Sequence, residues 1–282
     1  MRIDLHTHSD RSDGTTTPAR IVEDAAAQGL DVVALTDHDT TRGWVDAARR
    51  AVEVGVDLVR GIEISCRHAG ISIHLLAYLP EPGGELFEEL ERARSSRVTR
   101  AERMVARLAE DVPITYEQVL AQAGPGATIG RPHIADALVA NGVVPDRSAA
   151  FEHLLHNDGP YHVGHYAIDP VRAVTLVRAA GGVPVMAHPF AAARGRVVDD
   201  SVVEEMVDAG LAGLEAHHRD HTPAQVRHAL DLARAHDLVV TGSSDYHGAG
   251  KPNRLGENTT EPEQYERLVA LATSDVDVVR GR

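Results

Sequence analysis

Short apolar runs in this sequence repeatedly end on a histidine or an acid, and that repetition constrains the fold more than any other feature. Residues 3–5 run into His6-Thr7-His8, with Asp13 just beyond, and residues 32–35 run into Thr36-Asp37-His38-Asp39. Residues 56–64 carry Glu63 near their end. Residues 183–187 lead into His188, 211–216 into His217-His218, and 238–242 into Ser243-Ser244-Asp245-Tyr246-His247. Only His74 lies within its run, at 71–79. Strand positions two apart share a face, so His6 and His8 converge on one point and make a two-nitrogen grip for a metal ion. A carboxylate placed like Glu63, inside apolar surroundings, is costly without a partner.

Helix signals separate most of these runs. Thr17-Pro18 opens one helix and Gly29 stops it; a second helix covers about 41–54 and closes at Gly55; Asp169-Pro170 and Thr222-Pro223 open later ones. Seven strand-and-helix units imply a closed parallel barrel, in which the carboxyl ends of the strands carry the site. An open doubly wound sheet would also place its site there, but the sequence has no glycine-rich phosphate loop to support it. The alternation is interrupted between 80 and 165. There, residues 85–109 have the three-and-four apolar spacing of a long helix, and Arg131-Pro132-His133 opens another. We therefore expect barrel halves at 1–79 and 166–282 with a helical insertion domain at 80–165, acting as a cap over the substrate. The arginines Arg92, Arg94, Arg97, Arg100, Arg103 and Arg107 read mainly as a solvated face, with a phosphate contact for one or two as the alternative.

Composition narrows the chemistry. Histidine occurs 17 times, more often than Phe (3), Tyr (6) and Trp (1) together, which points to metal chemistry. A net charge of -14 argues against a surface that coats nucleic acid, though not against a nucleotide in a local pocket. The single Cys66 excludes an intramolecular disulfide framework, no run approaches the ~20 apolar residues of a membrane span, and the start lacks a signal-peptide pattern, so the expected compartment is the cytoplasm.

The combination His6-Thr7-His8-Ser9, Ser12-Asp13-Gly14, Thr36-Asp37-His38-Asp39, Gly61-Ile62-Glu63-Ile64, His74, Ala187-His188-Pro189 and Ser244-Asp245-Tyr246-His247 resembles the polymerase and histidinol phosphatase (PHP) family of metal-dependent phosphoesterases. Arg131-Pro132-His133-Ile134-Ala135, within the helical insertion, resembles the branch of nucleoside 3′,5′-bisphosphate phosphatases and 5′-to-3′ exoribonucleases. The resemblance implies a distorted (βα)7 TIM-like barrel and two or three divalent ions, manganese, iron or zinc. By the same resemblance, His6, His8, Glu63 and Asp245 hold one ion, Asp13, His38 and His247 a second, and Glu63, His74 and His188 a third. It assigns catalytic roles to Glu63, His188 and His218 and substrate contacts to Arg131, His133 and Arg194. At position 217 the family pattern has tyrosine where this chain has histidine.

A phosphate ester repels hydroxide, so clustered dications that lower the pKa of a bound water and neutralise the ester suit this chemistry. The expected reaction is hydrolysis of a small nucleotide or a short 5′-phosphorylated oligonucleotide, with no membrane or stable duplex nucleic acid as partner. A phosphatase for a small metabolite such as histidinol phosphate, and a non-catalytic metal-binding module of a polymerase-like complex, are the competing readings.

Overall fold

A computed structural model describes residues 1–124 and 126–281, so Pro125, in the Gly124-Pro125-Gly126 break that the sequence places between two helices, lies outside them. Seven strands, β1 (Ile3–Asp4), β2 (Val32–Leu35), β3 (Asp57–His68), β4 (Ile71–Tyr78), β5 (Val183–Met186), β6 (Gly213–His217) and β7 (Val239–Gly242), pair in chain order. The sheet nearly closes into a barrel. Between β1 and β7 a single bridge, Thr7 to Tyr246, and the bond from His8 N–H to the Tyr246 carbonyl at 2.8 Å span the seam.

The strands show why the fold needs apolar residues on both faces. In β2, Val32 and Ala34 join the cluster that fills the barrel with Ile3, Leu5, Val59, Leu76 and Tyr78, while Val33 and Leu35 join the cluster beneath the outer helices. Alternation along one strand thus feeds two cores. The outer cluster is covered by α1 (Pro18–Ala27), α2 (Trp44–Val54), α7 (Pro170–Ala179), α8 (Asp200–Asp208) and α9 (Pro223–Ala235). Their ends follow from local chemistry. The Thr17 hydroxyl accepts from Arg20 N–H at the start of α1, Thr222 and Gln225 form a reciprocal cap on α9, and Gly55, at φ 79, takes the left-handed conformation that ends α2. A last helix, α10 (Pro262–Ala270), closes the barrel floor with Tyr265 and Leu268.

One strand departs from the all-parallel expectation. β4 runs antiparallel to both β3 and β5, because Ala69 (φ 46) and Gly70 (φ 79) make a two-residue turn that sends the chain straight back. The consequence reaches the site. An antiparallel strand begins at the end where its neighbours finish, so His74, opposite Ser65, stands in the barrel mouth although it lies inside its strand. Near the C-terminus one antiparallel bridge, between Val279 and Leu58, adds to the sheet.

Between β4 and β5 lie α3 (Gly84–Leu108), α4 (Tyr116–Leu120), α5 (Arg131–Ala140) and α6 (Arg147–His153). These helices have a core of their own, including Met104, Leu108, Ile134, Leu138 and Leu155. The arginines of α3 divide by face. Arg92 and Arg103 are exposed, whereas Arg100 is buried and Arg97 turns inward to ion-pair with Asp39 at 3.0 Å.

Candidate metal centre

The barrel mouth gathers its polar groups by strand ends. β1 delivers His6 and His8, both with fully buried side chains, and the following loop delivers Asp13. That loop is built on Asp37, whose carboxylate accepts from Ser9 N–H at 2.7 Å, from the Ser9 hydroxyl at 2.6 Å and from the Ser12 hydroxyl at 2.6 Å. Gly14 is needed for the same reason: a Cβ there would stand 2.3 Å from the His8 carbonyl oxygen. Asp37 therefore shapes the site without entering it. His38 enters from β2, and Glu63 and His74 from the β3–β4 hairpin. His188 and Asp245 follow β5 and β7 with φ of 31° and 52°, left-handed positions that are uncommon for residues with a side chain.

Three sets of donor atoms result, each within 4.8 Å of one another: His6, His8, Glu63 and Asp245; His8, Asp13, His38 and His247; and His38, Glu63 and His74. The sets share members. Glu63 Oε1 faces His74 Nδ1 at 2.6 Å and His188 Nε2 at 3.2 Å, while Oε2 faces His8 Nε2 at 2.9 Å, His6 Nε2 at 3.1 Å and His38 Nδ1 at 3.3 Å. His8 also belongs to the second set, and in the third His38 joins Glu63 and His74, while the His188 expected there faces the same Glu63 oxygen as His74.

The donor chemistry fits cations. His38 Nδ1, His74 Nδ1 and His247 Nε2 are buried and make no hydrogen bond, despite carboxylate oxygens close by. His6 Nε2 and His8 Nε2 are 3.0 Å apart, a spacing at which two lone pairs repel unless a proton or a cation lies between them. Mixed nitrogen and carboxylate donors suit zinc, iron or manganese.

Charge points the same way. Burial alone would lower the His8 imidazole, but hydrogen bonds to Asp245 and Glu63 and the charge of Asp13 carry it up to about 9. Burial would raise the Asp13, Glu63 and Asp245 carboxyls, yet the surrounding histidines, with Lys251 and Arg194 beside Asp245, hold all three well below the usual range. The group of acids thus pulls positive charge onto itself. Burial and Lys251 push His247 down to about 4, and burial with the Arg194 charge pushes His188 down to about 3, which keeps both imidazoles neutral and their lone pairs available near pH 7.

Residues the sequence reading missed support this first ring. Glu215 of β6, with no solvent exposure, accepts from His6 Nδ1 at 2.9 Å, from His188 N–H at 2.8 Å and from the Ser243 hydroxyl. It was findable: an acid inside the apolar run 211–216 meets the same cost that singled out Glu63. Asp4 accepts from Ser244 N–H at 3.0 Å and Gly256 N–H at 2.8 Å, tying β1 to the loop that carries Asp245.

The expected substrate residues are placed as follows. His218 Nδ1 accepts from Asp220 N–H at 3.1 Å, which leaves the proton on Nε2, 3.6 Å from Asp245 Oδ2. Arg194 reaches Asp245 Oδ2 at 2.5 Å and Asp220 at 2.6 Å. His217 is exposed at the end of β6. On the helical layer, His133 accepts from Gly130 N–H at 3.1 Å, and Arg131 donates to the Leu155 carbonyl at 2.9 Å and to Asn157 at 2.7 Å, with its guanidinium over the Phe151 ring. Arg131 is not solitary: burial together with Arg97 and Arg67 pushes it down to about 10, and burial with Arg131, Arg97 and Arg67 pushes Arg100 down to about 9. Among the described residues, Asp39 is the one carboxylate ion-paired with any of these four.

Proteins similar to this chain carry phosphoesterase names. The PHP domain profile matches residues 4–135. The chain is 31% identical to a 3′,5′-nucleoside bisphosphate phosphatase of Chromobacterium violaceum, covering 89% of both chains. It is 32% identical to a phosphoribosyl 1,2-cyclic phosphate 1,2-diphosphodiesterase of Eggerthella lenta, covering 87% of this chain and 94% of that one. A Bifidobacterium adolescentis structure, provisionally assigned as a metal-dependent phosphoesterase, superposes with a TM-score of 0.94 at 41% identity, covering 97% of each chain.

Proposed function

Given that this chain belongs to the PHP domain family and is a metal-dependent phosphoesterase, we propose that it hydrolyses phosphate esters of small nucleotides, such as nucleoside 3′,5′-bisphosphates, or of short 5′-phosphorylated oligonucleotides. The observation that carries this reading is the set of three donor groups sharing Glu63, His8 and His38 at the barrel mouth. His6, His8, Asp13, His38, Glu63, His74, His247 and Asp245 would hold two or three dications, with His188 beside Glu63. Such ions supply positive charge for the ester and lower the pKa of an attacking water. The protein's part is to orient and to move protons. His218 keeps its proton on Nε2 toward the phosphate side of Asp245, and Arg194 binds phosphate oxygens there. No helix among the described residues is long and apolar enough to cross a membrane.

The seam between barrel and helical layer favours a second phosphate. Arg67, Arg97, Arg100 and Arg131 crowd together there with a single carboxylate among them, and the Asp39 that Arg97 grips follows His38 directly. An anion on this cluster relieves the mutual repulsion of the guanidiniums. Arg131→Ala should then lower kcat/KM for a bisphosphate or 5′-phosphorylated oligonucleotide by about ten- to a hundredfold, and that for a simple aryl phosphate far less, with metal content unchanged. Equal losses on both substrates would confine Arg131 to its contacts with Leu155 and Asn157.

Purified without chelator, the protein should carry at least two divalent ions per chain by elemental analysis; less than one, with no uptake of added manganese, would sink the proposal. A metal-supplemented panel of nucleoside 3′,5′-bisphosphate, short 5′-phosphorylated RNA, a ribose 1,2-cyclic phosphate and histidinol phosphate tests the substrate class. The cyclic phosphate belongs in it because the Eggerthella lenta relative is as similar as the bisphosphate phosphatase.

A further inference from the structure

Of the 28 Lys and Arg residues in the sequence, Lys251 alone is lysine. Every other side-chain cation counted there is a guanidinium, and the one side-chain ammonium stands at the metal centre, with Nζ 3.1 Å from Asp245 Oδ2. Its placement is built from both sides. The turn Gly248–Gly250 lies against Thr15 and Thr16 so closely that a Cβ on Gly248 would come within 2.3 Å of the Thr15 hydroxyl, and Ala249 N–H donates to that hydroxyl at 2.8 Å. On the other side of Lys251, the buried Asn253 amide donates to the Ser244 carbonyl at 2.7 Å. The backbone that carries Lys251 is thereby fastened to the loop that carries Asp245.

The two oxygens of Asp245 face different company. Oδ1 looks toward His6 Nε2, His8 Nε2 and His247 Nδ1, at 3.5, 3.4 and 3.4 Å. Oδ2 looks toward Arg194, Lys251 and His218, at 2.5, 3.1 and 3.6 Å. The first side is the proposed ligand side. On the second, the Lys251 and Arg194 side chains are 34% and 28% exposed, so both border solvent at the mouth. An ammonium has three N–H donors; Asp245 takes one, and among the described residues no other protein group takes the remaining two. A compact ammonium turns its donors freely, unlike the fixed fork of a guanidinium, and so can follow a phosphoryl group as its oxygens move in the reaction.

We propose that Lys251 is a substrate-contacting residue: held by Asp245 beside Arg194, its ammonium binds the non-bridging oxygens of the phosphate being hydrolysed. The inference rests on the phosphoesterase reading above, and its test separates the two. Because the chain has one lysine, acetylation by an N-hydroxysuccinimide ester, followed by peptide mass mapping, reports Lys251 alone, with the α-amino group as internal reference. In the manganese-loaded protein, saturating inorganic phosphate should slow acetylation of Lys251 about tenfold or more and leave the α-amino rate unchanged. Lys251→Met should lower kcat/KM by about ten- to a hundredfold with metal content unchanged, and Lys251→Arg should recover part of the loss. Absence of phosphate protection overturns the proposal, as does a Lys251→Met enzyme within twofold of the parent. Loss of activity that only tracks loss of metal also overturns it, since Lys251 would then merely position Asp245. If the parent protein hydrolyses no phosphate ester, the phosphoesterase reading fails, while phosphate protection still reports the contact.

Discussion

Glu63→Gln should abolish turnover, a loss of about a hundredfold or more, and strip metal from the protein while the barrel stays folded. Outer groups that only orient metal ligands already cost ten- to a hundredfold when changed, and Glu63 touches the donor sets directly. Its carboxylate is 1% exposed and faces five imidazoles, three on one oxygen and two on the other. Burial favours the neutral acid, but the charges of His38, His74 and His6 and the hydrogen bond from His188 win, and the group stays ionised. Glutamine keeps the volume, loses the charge, and turns an N–H2 donor toward imidazole nitrogens whose lone pairs would otherwise bind a cation. The apolar clusters lie below and outside the mouth, so the thermal unfolding transition should persist. Elemental analysis, kinetics and circular dichroism on the same preparation check all three parts. Near-normal activity with full metal content would remove Glu63 from the centre of the site.

A second large effect is expected at Glu215, which belongs to no proposed donor set but bonds to His6, a member of one. Its Oε1 accepts the His6 Nδ1 proton at 2.9 Å, which leaves the His6 Nε2 lone pair facing Glu63 and Asp245, and its Oε2 accepts from the backbone of His188 at 2.8 Å. One carboxylate thereby fixes the tautomer of one imidazole and the strained backbone of another. Glu215→Gln can keep only one of these acceptors in place, because the other position becomes a donor facing a donor. The expected result is a drop of about ten- to a hundredfold in manganese affinity, measured by titration against a chelator, with kcat/KM falling in step at limiting metal. The effect on activity should shrink as manganese is raised. An unchanged affinity would show that His6 is held without Glu215.

Much of the site was legible because strand ends and ligand types are both local properties. His6 and His8 share a face through the period of two, and Asp37-His38, His188 and Asp245 terminate runs too apolar to be anything but strands. Glu63 announced itself through the cost of a buried charge. Strand direction has no such signature. The same apolar run serves a parallel or an antiparallel strand, and only the Ala69-Gly70 turn, with both residues at positive φ, sends β4 back and lifts His74 into the mouth.

The sequence by itself determined the barrel's seven strands, the helices that interrupt them and the donor residues at their ends, since propensity, capping and apolar spacing act between near neighbours. Tertiary structure decided how those donors divide into sets, that His38 joins Glu63 and His74 in the third with His188 facing the same Glu63 oxygen, that Glu215 stands behind His6, that four arginines gather by the helical layer, and that one lysine reaches Asp245. These are contacts between residues far apart in the chain. Closing the barrel brings them within a few ångströms, and no periodicity along the chain measures that distance.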